Sequence, residues 1–341
     1  MSEELLRVEG LQVRFPVRNA NASVRDLIQR KGPALTQWVH AVEDVTFTVG
    51  RGETLGLVGE SGSGKSTVGN AIMRLVPASA GSVILDGENL LDAKGEQLRK
   101  LRRRVAMVFQ DPLASLDPRR PIDESIADPL QIHGLHKGRR SQRVAELLTM
   151  VGLPKRFMGR YPHELSGGQR QRVCIARALA CEPDLIILDE ATASLDVSVQ
   201  AQVMNLLKRL QRELGLSFIF IAHDLAVVEY MSDRVMVLYL GRAMEVAGRS
   251  ELYAHPAHPY TRALMSAIPA EDPIAERTRR RIVLTGDVPS PLNPPSGCVF
   301  RTRCPDAIDA CAEAIPPMEV LGEDHTAACI RVHDLAATPP R

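Results

Sequence analysis

The 341-residue chain has almost no net charge. Its 42 Lys and Arg are answered by 41 Asp and Glu, a balance of +1, so no overall field draws in DNA, RNA or anionic lipid, and any phosphate binding has to be local. Long apolar runs are missing too. Stretches such as Leu185–Leu188 and Arg234–Leu240 fall far short of the roughly 20 residues that cross a bilayer. The first ten residues carry Glu3, Glu4 and Glu9, acids where a signal peptide needs basic residues and then an apolar core, which predicts a cytoplasmic chain. There the six cysteines are expected to be mostly reduced, and at this length a disulfide-stapled miniature fold is excluded. No solenoid or propeller repeat is visible, and charge runs are short.

What is present is globular. Apolar residues make up 45% and charged residues 24%, both near the averages of folded proteins, and the length suits about two domains of roughly 150 residues. Two strand-like stretches, Leu6 to Phe15 and Val42 to Val49, flank an insertion from Pro16 to Val39 read as an exposed loop. After Thr54–Val58 comes a glycine-rich turn, then a helical pattern from Ser66 to Leu75 stopped by Pro77. Residues 130–182 read mainly as helices, with Val144, Leu147, Leu148 and Val151 on one face. Leu185–Leu188 is the uninterrupted apolar run of a strand buried on both faces of a parallel sheet. Val199, Val203, Leu206, Leu207, Leu210 and Leu214 continue as an amphipathic helix ending at Gly215, and Ser217–Ile221 supplies another strand. This alternation predicts an α/β core over residues 1–250, with a helical part at about 111–182. The Pro-rich, Cys-containing sequence over 251–341 predicts a small appended domain, disordered from Ala336 onward.

Gly59, Glu60, Ser61, Gly62, Ser63, Gly64, Lys65, Ser66 and Thr67 spell G-x-x-x-x-G-K-[ST] followed by Thr, between a predicted strand and a predicted helix. Glycines let consecutive N–H groups curl around oxygen anions, and the helix adds its positive end at the same point. Lys65 is placed to reach the β- and γ-phosphates, and the Ser66 hydroxyl to ligate Mg²⁺, a hard cation that prefers oxygen. Asp189 and Glu190 close a central strand, where ligands bind in open α/β sheets. Asp189 is read as a holder of the metal through water, and Glu190 as the group that orients and deprotonates an attacking water.

Leu165, Ser166, Gly167, Gly168 and Gln169, ahead of Asp189 in the chain, resemble the signature of ATP-binding cassette (ABC) ATPases. Gln110 resembles that family's Q-loop glutamine, Ser194-Leu195-Asp196 its D-loop, and His223 its switch histidine. The resemblance implies a P-loop NTPase core: a RecA-like parallel sheet, an antiparallel β subdomain and a helical subdomain. It implies a head-to-tail dimer with ATP between the Lys65 loop of one subunit and Ser166 to Gly168 of the other. It also implies that Gln110 joins Ser66 and Asp189 around Mg²⁺ and senses the γ-phosphate, that His223 contacts that phosphate, and that an aromatic near the first strand stacks on adenine. Phe15 is the candidate, with Trp38 the alternative.

Asp111–Pro118, the stretch His255–Leu264 and the terminal cysteine segment together resemble the ATPase subunits of dipeptide and oligopeptide importers, and the long excursion after Phe15 resembles their F-type subunit. That implies a second ATPase subunit, of D-type or identical, two membrane-spanning permeases and an extracytoplasmic binding protein, with this chain peripheral on the cytoplasmic face of the membrane and no nucleic acid as partner. Residues 111–125 then border the groove that receives the permeases. A cassette ATPase acting on DNA or the ribosome is the alternative, as is an importer of nickel or another small solute. Cys298, Cys304, Cys311 and Cys329 are spaced by six, seven and eighteen residues. Four thiolates suit zinc or an iron–sulfur cluster; tight C-x-x-C pairs are lacking, and the importer resemblance implies a [4Fe-4S] cluster. Cys174 and Cys181 are expected to be buried small hydrophobes, and His325, near Cys329, an exposed loop histidine, with a ligand role as the alternative.

Overall fold

The computed structural model describes residues 3–18, 36–193, 195–268 and 281–336. Strands β1 (Glu4–Arg18), β2 (Thr36–Gly50), β3 (Thr54–Val58), β4 (Ala80–Leu85) and β5 (Glu88–Asn89) open the chain. Strands β6 (Val105–Val108), β7 (Leu185–Asp189), β8 (Ser217–Ile221), β9 (Arg234–Tyr239) and β10 (Arg242–Gly248) follow, and β11 (Glu319–Gly322) and β12 (His325–Ala327) come last. They form a four-stranded antiparallel sheet in the order β2-β1-β4-β5 and an eight-stranded sheet in the order β11-β12-β10-β9-β3-β8-β7-β6. From β9 through β6 the larger sheet is parallel.

Strands β3, β7 and β8 are buried at every residue, which is why their sequence shows no polar alternation. Their two faces pack against different layers. Leu185, Ile187, Ile219 and Ile221 join the core shared with the antiparallel sheet. Ile186, Leu188, Phe218 and Phe220 join the core shared with the helices Ile122–Ile132, Arg140–Met150 and Gly167–Leu179. Cys174 and Cys181 are buried, and burial pushes the Cys174 thiol up to about 11, so both are small hydrophobes as expected.

Three local expectations are corrected. The insertion read as loop from Pro16 to Val39 is shorter, because Pro16–Arg18 and Thr36–Val39 extend the β1–β2 ladder with Pro16 opposite Trp38 and Arg18 opposite Thr36; residues 19–35 lie outside the described residues. Ala336 closes the helix Val332–Ala336, anchored by buried Val332 and Leu335, while 337–341 lie outside the described residues. His325 is buried rather than exposed, because β12 pairs with β10 and carries it to Glu245.

Glu245 is fully buried. It accepts the backbone N–H groups of Ala257 and His258, each at 2.8 Å, and lies 2.7 Å from His325 Nε2, so one carboxylate ties the chain beyond residue 250 to the large sheet. His258 is also buried; its Nδ1 accepts the Tyr260 N–H at 3.0 Å, which requires the neutral ring. Burial lowers its pKa to about 4. With the folded value below the unfolded one, the native state binds fewer protons, and stability falls as pH drops from about 6.5 toward 4, by up to about 3 kcal/mol. We expect the His258→Asn variant to lose correspondingly less stability than the unaltered chain between pH 7 and pH 4.5 in urea titrations. Equal losses would contradict this assignment.

Candidate functional site

The phosphate loop leaves β3 at Val58 and enters the helix Lys65–Ile72. Two of its glycines are dictated by geometry. Gly59 has φ +150° and a Cβ there would lie 2.1 Å from the Leu238 carbonyl oxygen; Gly64 has φ +101° and would meet the Ala41 carbonyl at 2.4 Å. Backbone on the far side leaves no room for a side chain at either position. The helix has no side-chain cap and no acid in its first turn, which leaves its first N–H groups free for an anion.

Lys65 is buried. Its Nζ donates to the carbonyls of Gly59 at 2.8 Å and Glu60 at 2.9 Å and to Ser63 Oγ at 3.3 Å. Burial pushes the ammonium down, against the attraction of Glu190, Asp189 and Glu60, so this cation is desolvated and short of full compensation. Ser66 Oγ donates to Asp189 Oδ1 at 2.8 Å, and burial together with the neighbouring Glu190 charge raises the Asp189 carboxyl. A divalent cation there would favour the ionised carboxylate, and the donors are hard oxygens, which suit Mg²⁺.

Glu190 holds the left-handed conformation at φ +46°, fixed by its N–H donating to Ile221 O at 2.9 Å. Its Oε2 accepts Gln110 Nε2 at 2.8 Å and lies 3.5 Å from His223 Nδ1. Gln110 and Glu190 line one open pocket of about 450 Å³ with Ser61, Gly62, Ser63, Gly64, Lys65, Ser66 and Thr67. Val39, Ala41 and Pro291 complete it; Pro291, from the C-terminal segment, has no signal in the sequence.

Other expected site residues stand elsewhere. Leu165, Ser166, Gly167, Gly168 and Gln169 do not line that pocket. Ser166 is the exposed cap of the helix Gly167–Leu179, in a reciprocal capping box with Gln169, and a Cβ on Gly168 would collide with Val199 at 2.3 Å. Asp196 caps the helix Val197–Leu214, accepting the Val199 N–H at 2.9 Å; Ser194 lies outside the described residues. Neither Phe15 nor Trp38 lines the pocket. Beside Gln110 opens a groove of about 800 Å³ bordered by Asp111, Ala114 and Ser115.

Cys298, Cys304, Cys311 and Cys329 line one small cavity, all as free thiols. Burial pushes the Cys304 thiol up to about 12 and raises those of Cys298 and Cys329. Among the described residues no three His, Cys, Asp or Glu side chains stand close enough together to hold a metal ion as placed.

Residues 42–193 match the ABC transporter family, and residues 244–311 match the oligopeptide/dipeptide transporter C-terminal region. A putative peptide import ATP-binding protein of Brucella ovis is 52% identical over 328 residues, covering 96% of this chain and 98% of the relative. The oligopeptide transport ATP-binding protein OppF of Haemophilus influenzae is 50% identical over 332 residues, covering 97% and 98%. Among solved structures, the dimeric post-hydrolysis state of the ATP-binding cassette MJ0796 bound to ADP and Pi is 30% identical, with a TM-score of 0.61, covering 72% of this chain and 99% of that one.

Proposed function

Because the chain belongs to the ABC transporter ATP-binding proteins of the oligopeptide and dipeptide import branch, we propose that it hydrolyses ATP to drive peptide uptake across the cytoplasmic membrane. The observation that carries this is the convergence of Lys65, Ser66, Gln110, Asp189, Glu190 and His223 on one end of the parallel sheet.

In this reading the N–H groups of residues 59–67 cradle the β- and γ-phosphates, and Lys65 turns from the loop carbonyls toward them. Ser66, Gln110 and, through water, Asp189 would hold Mg²⁺, which when bound would neutralise charge on the phosphate oxygens. Glu190 takes the proton of the attacking water, and His223 contacts the γ-phosphate that leaves. Ser166, Gly167 and Gly168 of a second subunit cap the same phosphate with a helix N-terminus, which explains why they lie off the pocket of their own chain; Asp196 lies beside that contact. Adenine stacks on Phe15. Supporting this choice, Phe15 faces Val39 across the ladder, so their side chains share one sheet face, and Val39 lines the pocket. Trp38 belongs to the opposite face.

We assign the second ATPase subunit to a D-type partner or to an identical chain, with two permeases seated at the groove beside Asp111–Ser115 and an extracytoplasmic binding protein beyond them. Among the described residues no helix is long and apolar enough to cross a membrane, so attachment to the cytoplasmic face goes through the permeases. Residues 1–250 form the cassette, with 111–182 its helical part, and 251–341 the extension. The four cysteines about one cavity fit a soft metal group by their chemistry; a [4Fe-4S] cluster held by Cys298, Cys304, Cys311 and Cys329 would cross-link a segment with little core of its own. Binding would need the thiols to lose protons and draw inward. Affinity purification of the tagged chain from a membrane extract tests both points. We expect two polytopic subunits to copurify and iron to be present, lost on Cys304→Ser. Copurification of ribosomes or DNA instead, or metal content unchanged by Cys304→Ser, would contradict the respective assignment.

A further inference from the structure

Glu60, the second residue of the phosphate loop, is gripped from behind by the C-terminal segment. Its carboxylate Oε2 lies 2.7 Å from Arg303 Nη1, and the Arg303 side chain is only 9% exposed. Its backbone N–H donates to the Tyr260 hydroxyl at 2.9 Å, while its carbonyl accepts Lys65 Nζ at 2.9 Å. Its N–H, its carbonyl and one carboxylate oxygen are therefore held, two of them by residues 200 and 243 positions away. Tyr260, Tyr239 and Phe300 are buried and pack as an aromatic trio with ring centroids 4.8–5.3 Å apart. The Arg303 guanidinium lies 5.9 Å from the Tyr239 ring and 3.4 Å from its hydroxyl. A third tie lies across the pocket, where the His40 N–H donates to the Pro291 carbonyl at 3.0 Å.

An exposed ion pair at this place would contribute little. Here the acceptor is a carboxylate on a loop that must receive a triphosphate, and its charge opposes that ligand unless cancelled. Arg303 cancels it with a guanidinium whose geometry suits a carboxylate, and Tyr260 fixes the peptide N–H at the loop's entry. We propose that Arg303 and Tyr260 are positioning residues for nucleotide binding, through which the C-terminal segment sets the conformation and charge of the phosphate loop. Arg303 directly precedes Cys304, so the same brace joins the cysteine cavity to the nucleotide site.

The proposal rests on the ATP site described above, and binding of a fluorescent ATP analogue with Mg²⁺ to the full chain separates the two. Failure of the unaltered chain to bind would count against the ATP site itself. Given binding, Arg303→Met, which keeps an unbranched apolar stem, is expected to weaken affinity about tenfold, and Tyr260→Phe about threefold. Adding Glu60→Gln to Arg303→Met should recover most of the loss, because the uncancelled charge is gone; a merely structural role for Arg303 would show no such recovery. Wild-type affinity in both single variants, or a double variant no tighter than Arg303→Met, overturns the proposal. Should Arg303→Met fail to fold, Tyr260→Phe decides alone, and unchanged affinity there overturns it.

Discussion

Glu190→Gln lowers steady-state ATP turnover by about a hundred- to ten-thousandfold, the range expected for loss of a general base, while ATP still binds. Glutamine keeps the size of the side chain and can accept from Gln110, which now donates to Glu190 at 2.8 Å. It cannot take a proton from water. The residue sits at the end of β7 with φ +46°, a conformation set by the backbone bond to Ile221, so the substitution leaves the loop in place. Phosphate release and an ATP binding isotherm on the same preparation check both halves. Unchanged turnover would remove Glu190 from the role assigned to it.

Lys65→Ala acts on the other half of the site and is expected to weaken ATP affinity about a hundredfold, the equivalent of one strong charge-assisted bond. In the unliganded chain this ammonium is buried, its pKa lowered by burial, and it donates to the Gly59 and Glu60 carbonyls and to Ser63 Oγ. Measured against the midpoint of each free chain on heating, the rise on adding ATP and Mg²⁺ is expected in the unaltered chain and lost in the variant. A variant that keeps that rise would contradict the placement of Lys65 against the phosphates.

The parts legible in the sequence were those whose physics is local. Gly59 to Thr67 are consecutive residues between β3 and a helix, and the positive φ of Gly59, Gly62 and Gly64 is a local backbone demand that glycine meets. The buried strands read as apolar runs because both faces of β7 and β8 are covered. Contacts made by distant segments left no trace. Nothing near His325 announces that β12 will pair with β10 and bury it against Glu245. Nothing near Arg303 announces Glu60, and Pro291 reaches the nucleotide pocket from a segment that reads only as Pro-rich. The β1–β2 ladder continues beyond the part that β4 covers, where alternation with a core no longer marks a strand.

The central claim is that each ATP is held jointly by the phosphate loop of one subunit and the 165–169 stretch of another. Mixing two disabled chains tests it most directly, in conditions where the unaltered chain alone hydrolyses ATP. Lys65→Ala spoils the loop, and Ser166→Arg spoils the exposed helix cap. Each variant is expected to be inactive alone, and activity should reappear on mixing, since one site of the mixed pair then combines an intact loop with an intact cap. A mixture as inactive as its components, or a Ser166→Arg chain that is active alone, would contradict the account.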